Sequence, residues 1–167
     1  MVIQEFFVTL ANRCPTRKCV IIEPWGHDET LEPCSTLTLR FASAFGGWFV
    51  QALFGRNDPD PQVDVILEPD GLRLWWSGYD FEVNPGASAK SLAKKDAMVE
   101  PNSLMITIRN QLDHSIQFTD RVSNQFCQNL QSGSALDHIV KSSSDLPLRL
   151  DFDIESVELS HNQTCLR

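Results

Sequence analysis

Glu23-Pro24-Trp25-Gly26-His27-Asp28-Glu29 places one imidazole among three carboxylates within a single short string. Imidazole changes charge near neutral pH, and carboxylates beside it can tune that change or offer hard oxygen ligands. Glu23, His27, Asp28 and Glu29 are therefore candidates for a metal site or an acid–base cluster. The string also has a structural reading, in which Pro-Trp-Gly is a turn with an aromatic plug and the charges are its solvated tip. The four histidines, His27, His114, His138 and His161, have none of the close spacings of a zinc site. Cys127 with His114 and His138 supplies the ligand types of a blue-copper centre, but all three Met lie upstream of Cys127. Asp58, Asp60 and Asp64 offer oxygen donors in a stretch stiffened by Pro59 and Pro61, without a glutamate at calcium-loop spacing.

No nucleophile elbow, glycine-rich phosphate loop, HExxH helix or dinucleotide fingerprint occurs in the chain. No cofactor is expected, and the absence of a catalytic signature favours a non-enzymatic reading. Aromatic side chains point to binding instead. All four tryptophans and the single tyrosine, Tyr79, precede residue 80. Trp75 and Trp76 are adjacent on an expected strand, so one faces the core and the other faces outward. An outward Trp near Tyr79, Asp70 and Arg73 is the kind of surface that anchors a protein partner or stacks on a sugar ring. The candidate binding set is Trp25, Trp75, Trp76, Tyr79, Asp70 and Arg73.

These residues must be positioned by strands. Apolar residues alternate at a period of two through Val20–Ile22, Leu37–Phe41, Val63–Leu67, Leu72–Trp76, Leu104–Ile108, Ile116–Phe118, Leu148–Ile154 and Val157–Leu159. Turn chemistry separates them, and Asp70-Gly71 between two alternating runs is the strongest hairpin signal, with Gly expected to supply a positive φ. The apolar stretch Ala42–Phe54 reads as a long strand, and Pro85–Pro101 as a connection with one or two helical turns.

A phrase also recurs. Val8-Thr9-Leu10-Ala11-Asn12-Arg13 aligns with Ile106-Thr107-Ile108-Arg109-Asn110-Gln111, and Leu31–Leu37 aligns with Leu130–Leu136 one residue out of phase. Such an echo suggests two related halves that bury their apolar faces against each other. The expected architecture is an all-β antiparallel sandwich, compatible with an immunoglobulin- or cupredoxin-like topology. It forms one domain over residues 1–167, with a first half 1–84, a connector 85–101 and a second half 102–167.

Composition bounds the partners. The net charge of −8 disfavours nucleic acid, and no apolar run is long enough for a membrane helix. The first ten residues lack a cationic region and include Glu5, so the chain reads as cytoplasmic, and its five cysteines as free thiols. The functional expectation is a binding or interaction module using its Trp-rich half, with protein or carbohydrate as ligand. Oligomers through edge strands fit the same architecture. The alternatives are a carbohydrate-binding sandwich, and a metal-binding protein or metal-dependent enzyme using the Glu23–Glu29 cluster.

Overall fold

The computed structural model describes residues 3–44, 62–76, 80–85, 102–122, 125–142 and 147–162. Within them the alternating segments form thirteen strands: β1 Ile3–Asn12, β2 Lys18–Glu23, β3 His27–Leu31, β4 Thr36–Ala44, β5 Gln62–Glu68, β6 Gly71–Trp76, β7 Asp80–Val83, β8 Asn102–Asn110, β9 Ile116–Asp120, β10 Gln125–Leu130, β11 Ala135–Ser142, β12 Leu148–Phe152 and β13 Ser156–His161. Alternation becomes burial directly. In β6, Leu72, Leu74 and Trp76 are buried while Arg73 and Trp75 between them are half-exposed.

The strands assemble as a sandwich of two sheets, one ordered β11-β8-β5-β6-β2-β3 and the other β10-β9-β13-β12-β1-β4-β7. Leu10, Ile22, Leu39, Leu74, Ile108 and Leu159 lie in the shared core. The sheets are mixed, in contrast to the antiparallel expectation. Four pairs, β1–β12, β13–β9, β2–β6 and β5–β8, run parallel, and none of them is joined by a hairpin. Ala42–Phe54 is strand as far as Ala44. Its remainder, residues 86–101 of the connector, Tyr79, Asp58, Asp60 and Cys165 lie outside the described residues.

Exchanging each of β1–β6 with the strand seven places later converts the six-stranded order into β4-β1-β12-β13-β9-β10. That is the seven-stranded sheet without β7, and the pairing senses match throughout. The loops match at the level of single bonds. Asn12 Nδ2 donates to the Thr16 and Leu31 carbonyls, and its Oδ1 accepts from the Cys14 amide. Asn110 Nδ2 donates to the His114 and Leu130 carbonyls, and its Oδ1 accepts from the Leu112 amide. Each buried Asn thus satisfies the backbone of a turn that has no ladder partner of its own. The following turns also correspond, with Cys34 at φ 58 where Gly133 has φ 78.

Gly133 occupies the left-handed region, as its turn requires. Gly71 does not, so the β5–β6 hairpin uses it for another reason: a Cβ there would collide with the Cys19 carbonyl of β2. Gly71 is what lets β6 lie parallel against β2 at that point.

Candidate interaction face

Strand register fixes which outward residues stand side by side. On the six-stranded sheet one row runs Ile21, Arg73, Ile66, Arg109 and Ala135, from β2 to β11. The next runs Glu23, Trp75, Asp64, Thr107 and Asp137, and beyond it Met105 pairs with Ile139. Ile139 is 60% exposed, a large apolar side chain standing in solvent. Arg73 is held between carboxylates: its Nε is 3.0 Å from Glu68 Oε1 and an Nη is 2.7 Å from Glu23 Oε1. The hydrogen bond to Glu68 leads in holding its guanidinium still more firmly protonated, and the charges of both carboxylates add to it. Thr107 Oγ1 donates to Asp137 over 2.7 Å, and Arg109 lies 3.7 Å from Asp64.

The matching rows of the seven-stranded sheet are Thr119, Glu158, Asp151, Ala11 and Thr36, then Arg121, Ser160, Arg149, Thr9 and Thr38. This face is a charge lattice. Arg13 and Arg149 both reach Asp151, at 3.0 and 2.9 Å, and Arg121 reaches Glu158 at 2.9 Å. The ion pair Arg73–Glu23 corresponds to Glu158–Arg121 with the signs exchanged. The apolar character is not exchanged. Ile21, Ile66, Trp75 and Ile139 stand where the other face has Thr119, Asp151, Ser160 and Arg40.

The expected binding residues divide. Trp76 is 1% exposed and packs 4.9 Å from the Phe41 ring, so it is core and cannot contact a partner. Its phase with Leu72 and Leu74 on β6 is the reason. Trp75 and Arg73 share the outward face. Asp70 is exposed at the β5–β6 tip, where its carbonyl accepts from the Cys19 amide. Trp25 is 41% exposed and packs 4.9 Å from Phe81 of β7, so it belongs to the contact between the β2–β3 turn and the opposite sheet. That turn contains a cis Glu23–Pro24 peptide.

The proposed metal donors are not brought together. Glu23 faces outward to Arg73, and Asp28 pairs in register with Ile21 on that face. His27 pairs with Ile22 on the other side of the strand, 2.7 Å from Glu29 and 5.6 Å from the Phe81 ring. The period of two splits the four residues between two faces. Among the described residues no three His, Cys, Asp or Glu side chains are grouped to hold a metal.

Sequence reasoning missed a cleft of about 560 Å³ at the end where the Asn turns meet. Leu67, Leu72, Ile116 and Phe152 line its floor, and Lys18, Glu68, Asp113, His114 and Asp153 bring both signs of charge to it. Cys14 is buried there with Sγ 3.9 Å from the Phe152 carbonyl, and burial raises its thiol pKa, which makes it a poor nucleophile. Four turns distant in sequence build this cleft, and the echo of the two Asn phrases was the signal that could have placed them together. Cys19, Cys34 and Cys127 are exposed free thiols, and among the described residues no helix is long and apolar enough to cross a membrane. No family model, curated protein or solved structure matches this chain.

Proposed function

We propose that this chain is a non-enzymatic binding module that engages a protein partner through the outward face of its six-stranded sheet. One observation carries the reading: at matched positions, the charged and hydroxylated residues of one face are replaced on the other by Ile21, Ile66, Trp75 and Ile139. Scattered apolar residues on a surface are ordinary, but Ile21 and Ile66 flank Arg73 in one row with Trp75 in the next, and apolar side chains gathered on neighbouring strands are the pattern of an interaction site. Glu23, Asp28, Asp64, Glu68 and Asp137 outnumber Arg73 and Arg109 on this face, which suits a partner with an apolar strip flanked by Lys and Arg. The matched topology and Asn turns support an internal duplication whose first copy contributes four of the six strands of this face.

The test exchanges face residues for their counterparts. In-cell crosslinking and affinity capture are run with the wild-type chain, with an Ile21→Thr/Trp75→Ser variant, and with Thr119→Ala as the opposite-face control. Specific partners should be retained by the control and lost, by about tenfold or more, in the double variant with its unfolding midpoint little changed. Equal capture by all three proteins would sink the proposal. Carbohydrate recognition is a second reading, favoured by the half-exposed Trp25 ring beside His27. It predicts a change in tryptophan emission with some member of a glycan panel, and a flat response across the panel would dismiss it.

A further inference from the structure

We propose that β11 is a self-association edge: two copies of the chain pair β11 with β11 antiparallel, centred on Ile139, so that one six-stranded sheet continues into the other. Among the described residues the two sheets end in four edge strands, β3, β11, β7 and β10. Soluble proteins guard such edges by keeping them short, charging them or bulging them. Three of these are guarded. β3 has five residues and opens with His27-Asp28-Glu29. β7 has four residues, with Asp80 and Glu82. The register of β10 breaks between Gln125 and Gln128. By contrast, β11 has eight residues in unbroken register with β8, and although it too carries charges, Asp137 and Lys141, it holds the most exposed large apolar side chain among the described residues, Ile139.

The chain already contains the corresponding contact. β4 holds the position matching β11, and its outer edge is covered by an antiparallel strand, β7, in register from Leu39–Val83 to Ala42–Asp80. No described strand takes that place beside β11.

The register follows from backbone geometry and charge. The Asn110 amide donates to the Ser134 carbonyl, so even-numbered positions of β11 turn their backbone groups toward β8. Ala135, Asp137, Ile139 and Lys141 therefore direct theirs to the open edge. A twofold pairing must set odd positions opposite odd ones, and its axis can pass through an odd or an even residue. Centring on His138 or Val140 sets Ile139 opposite Asp137 or Lys141 and forms no charge pair. Centring on Asp137 or on Lys141 opposes like charges. Centring on Ile139 opposes Ile139 to itself and sets Asp137 across from Lys141 on both sides, which is the favourable cross-strand arrangement.

Sedimentation velocity of the full chain over a concentration series, at about 0.15 M salt to screen the net charge of −8, tests this. The wild type should form a reversible dimer. Asp137→Lys and Lys141→Asp should each raise its dissociation constant by about tenfold or more. An equimolar mixture of those two variants should recover dimerisation, because each reversed charge then faces an opposite one. Asp137 also accepts the Thr107 hydroxyl, so Ile139→Glu, at a well-exposed site, provides an independent variant that should stay folded and become monomeric. The inference is overturned by a monomeric wild type, by a dimer that none of these changes weakens, or by a mixture that remains monomeric. Ile139 and Asp137 also belong to the partner-binding face, but the two readings separate: Ile21→Thr/Trp75→Ser leaves β11 unchanged, so loss of capture in that variant with dimerisation intact bears on the partner reading alone.

Discussion

His114 shows how little chemistry is needed to tie two turns together. Its Nδ1 is 2.8 Å from Asp113 Oδ1 and its Nε2 is 3.1 Å from the Ile154 carbonyl, at the turn between β12 and β13. Only the protonated ring donates to both. The Asp113 hydrogen bond chiefly, then the Ile154 carbonyl, raises the imidazole pKa, while the same bond to His114 lowers the Asp113 carboxyl below its usual range. A raised histidine contributes stability fully below its unfolded value of about 6.5 and loses it as pH rises through the folded value. A depressed carboxylate contributes above its unfolded value and loses it as pH falls. The pair is thus fully effective between these limits. Comparing thermal unfolding of the wild type with His114→Gln should show a small advantage near pH 5 to 6 that disappears toward pH 8. An advantage that grew with pH would reverse the assignment. Residues were otherwise legible wherever period two applied: it set Trp75 and Trp76 on opposite faces, and the phase of Leu72 and Leu74 selects Trp76 for the core. The Glu23–Glu29 string misled because nearness in sequence is not nearness in a strand pair, where neighbours point apart.

At the scale of the element, the paired Asn turns do most of the positioning. Asn12 and Asn110 are each 1% exposed and each satisfy two carbonyls and one amide, with the bonds to the Leu31 and Leu130 carbonyls fully buried. Replacing either by Ala strands those groups, and we expect each change to cost about 2–4 kcal/mol in urea unfolding. The two costs should agree to within about 1 kcal/mol, since the bonds correspond one for one. A loss well below that for one of them would show that the two turns are not energetic equivalents. These turns were visible in the echo of Val8–Arg13 with Ile106–Gln111, because an Asn that caps a turn leaves an identity in sequence. The role of Gly71 was not visible. A clash across β2 and β6 depends on a parallel pairing that no local pattern encodes, and a positive φ was the only local reason for a glycine there. The outward faces were hidden for the same cause: Ile21, Arg73 and Ile66 become neighbours only once β2, β6 and β5 are placed side by side.

For the molecule as a whole, the two matched halves differ most tellingly between the sheets. Asp120 of β9 and His138 of β11 meet across the core, carboxylate against imidazole, and Asp120 also accepts the Val122 amide. The matched positions of the first half are Ile22 and Leu39, both fully buried and apolar. A polar pair thus occupies a place where the same architecture also works with hydrocarbon. Burying two ionisable groups is costly even when they pair, and replacing such a pair by well-packed apolar residues is often neutral or better, whereas removing one partner alone is strongly destabilising. His138→Leu alone should therefore destabilise the protein by about 3–5 kcal/mol, by taking the imidazole partner away from the buried Asp120 carboxyl. Adding Asp120→Ile, which installs the first half's residues at both sites, should recover most of that loss. The residual deficit, about 1–2 kcal/mol, comes from the orphaned Val122 amide. Chemical denaturation of the wild type, both single variants and the double variant gives the coupling directly. A double variant no more stable than His138→Leu would mean that the halves match in strand order but not in how their sheets pack, and that the core beside β11 is built around the polar pair.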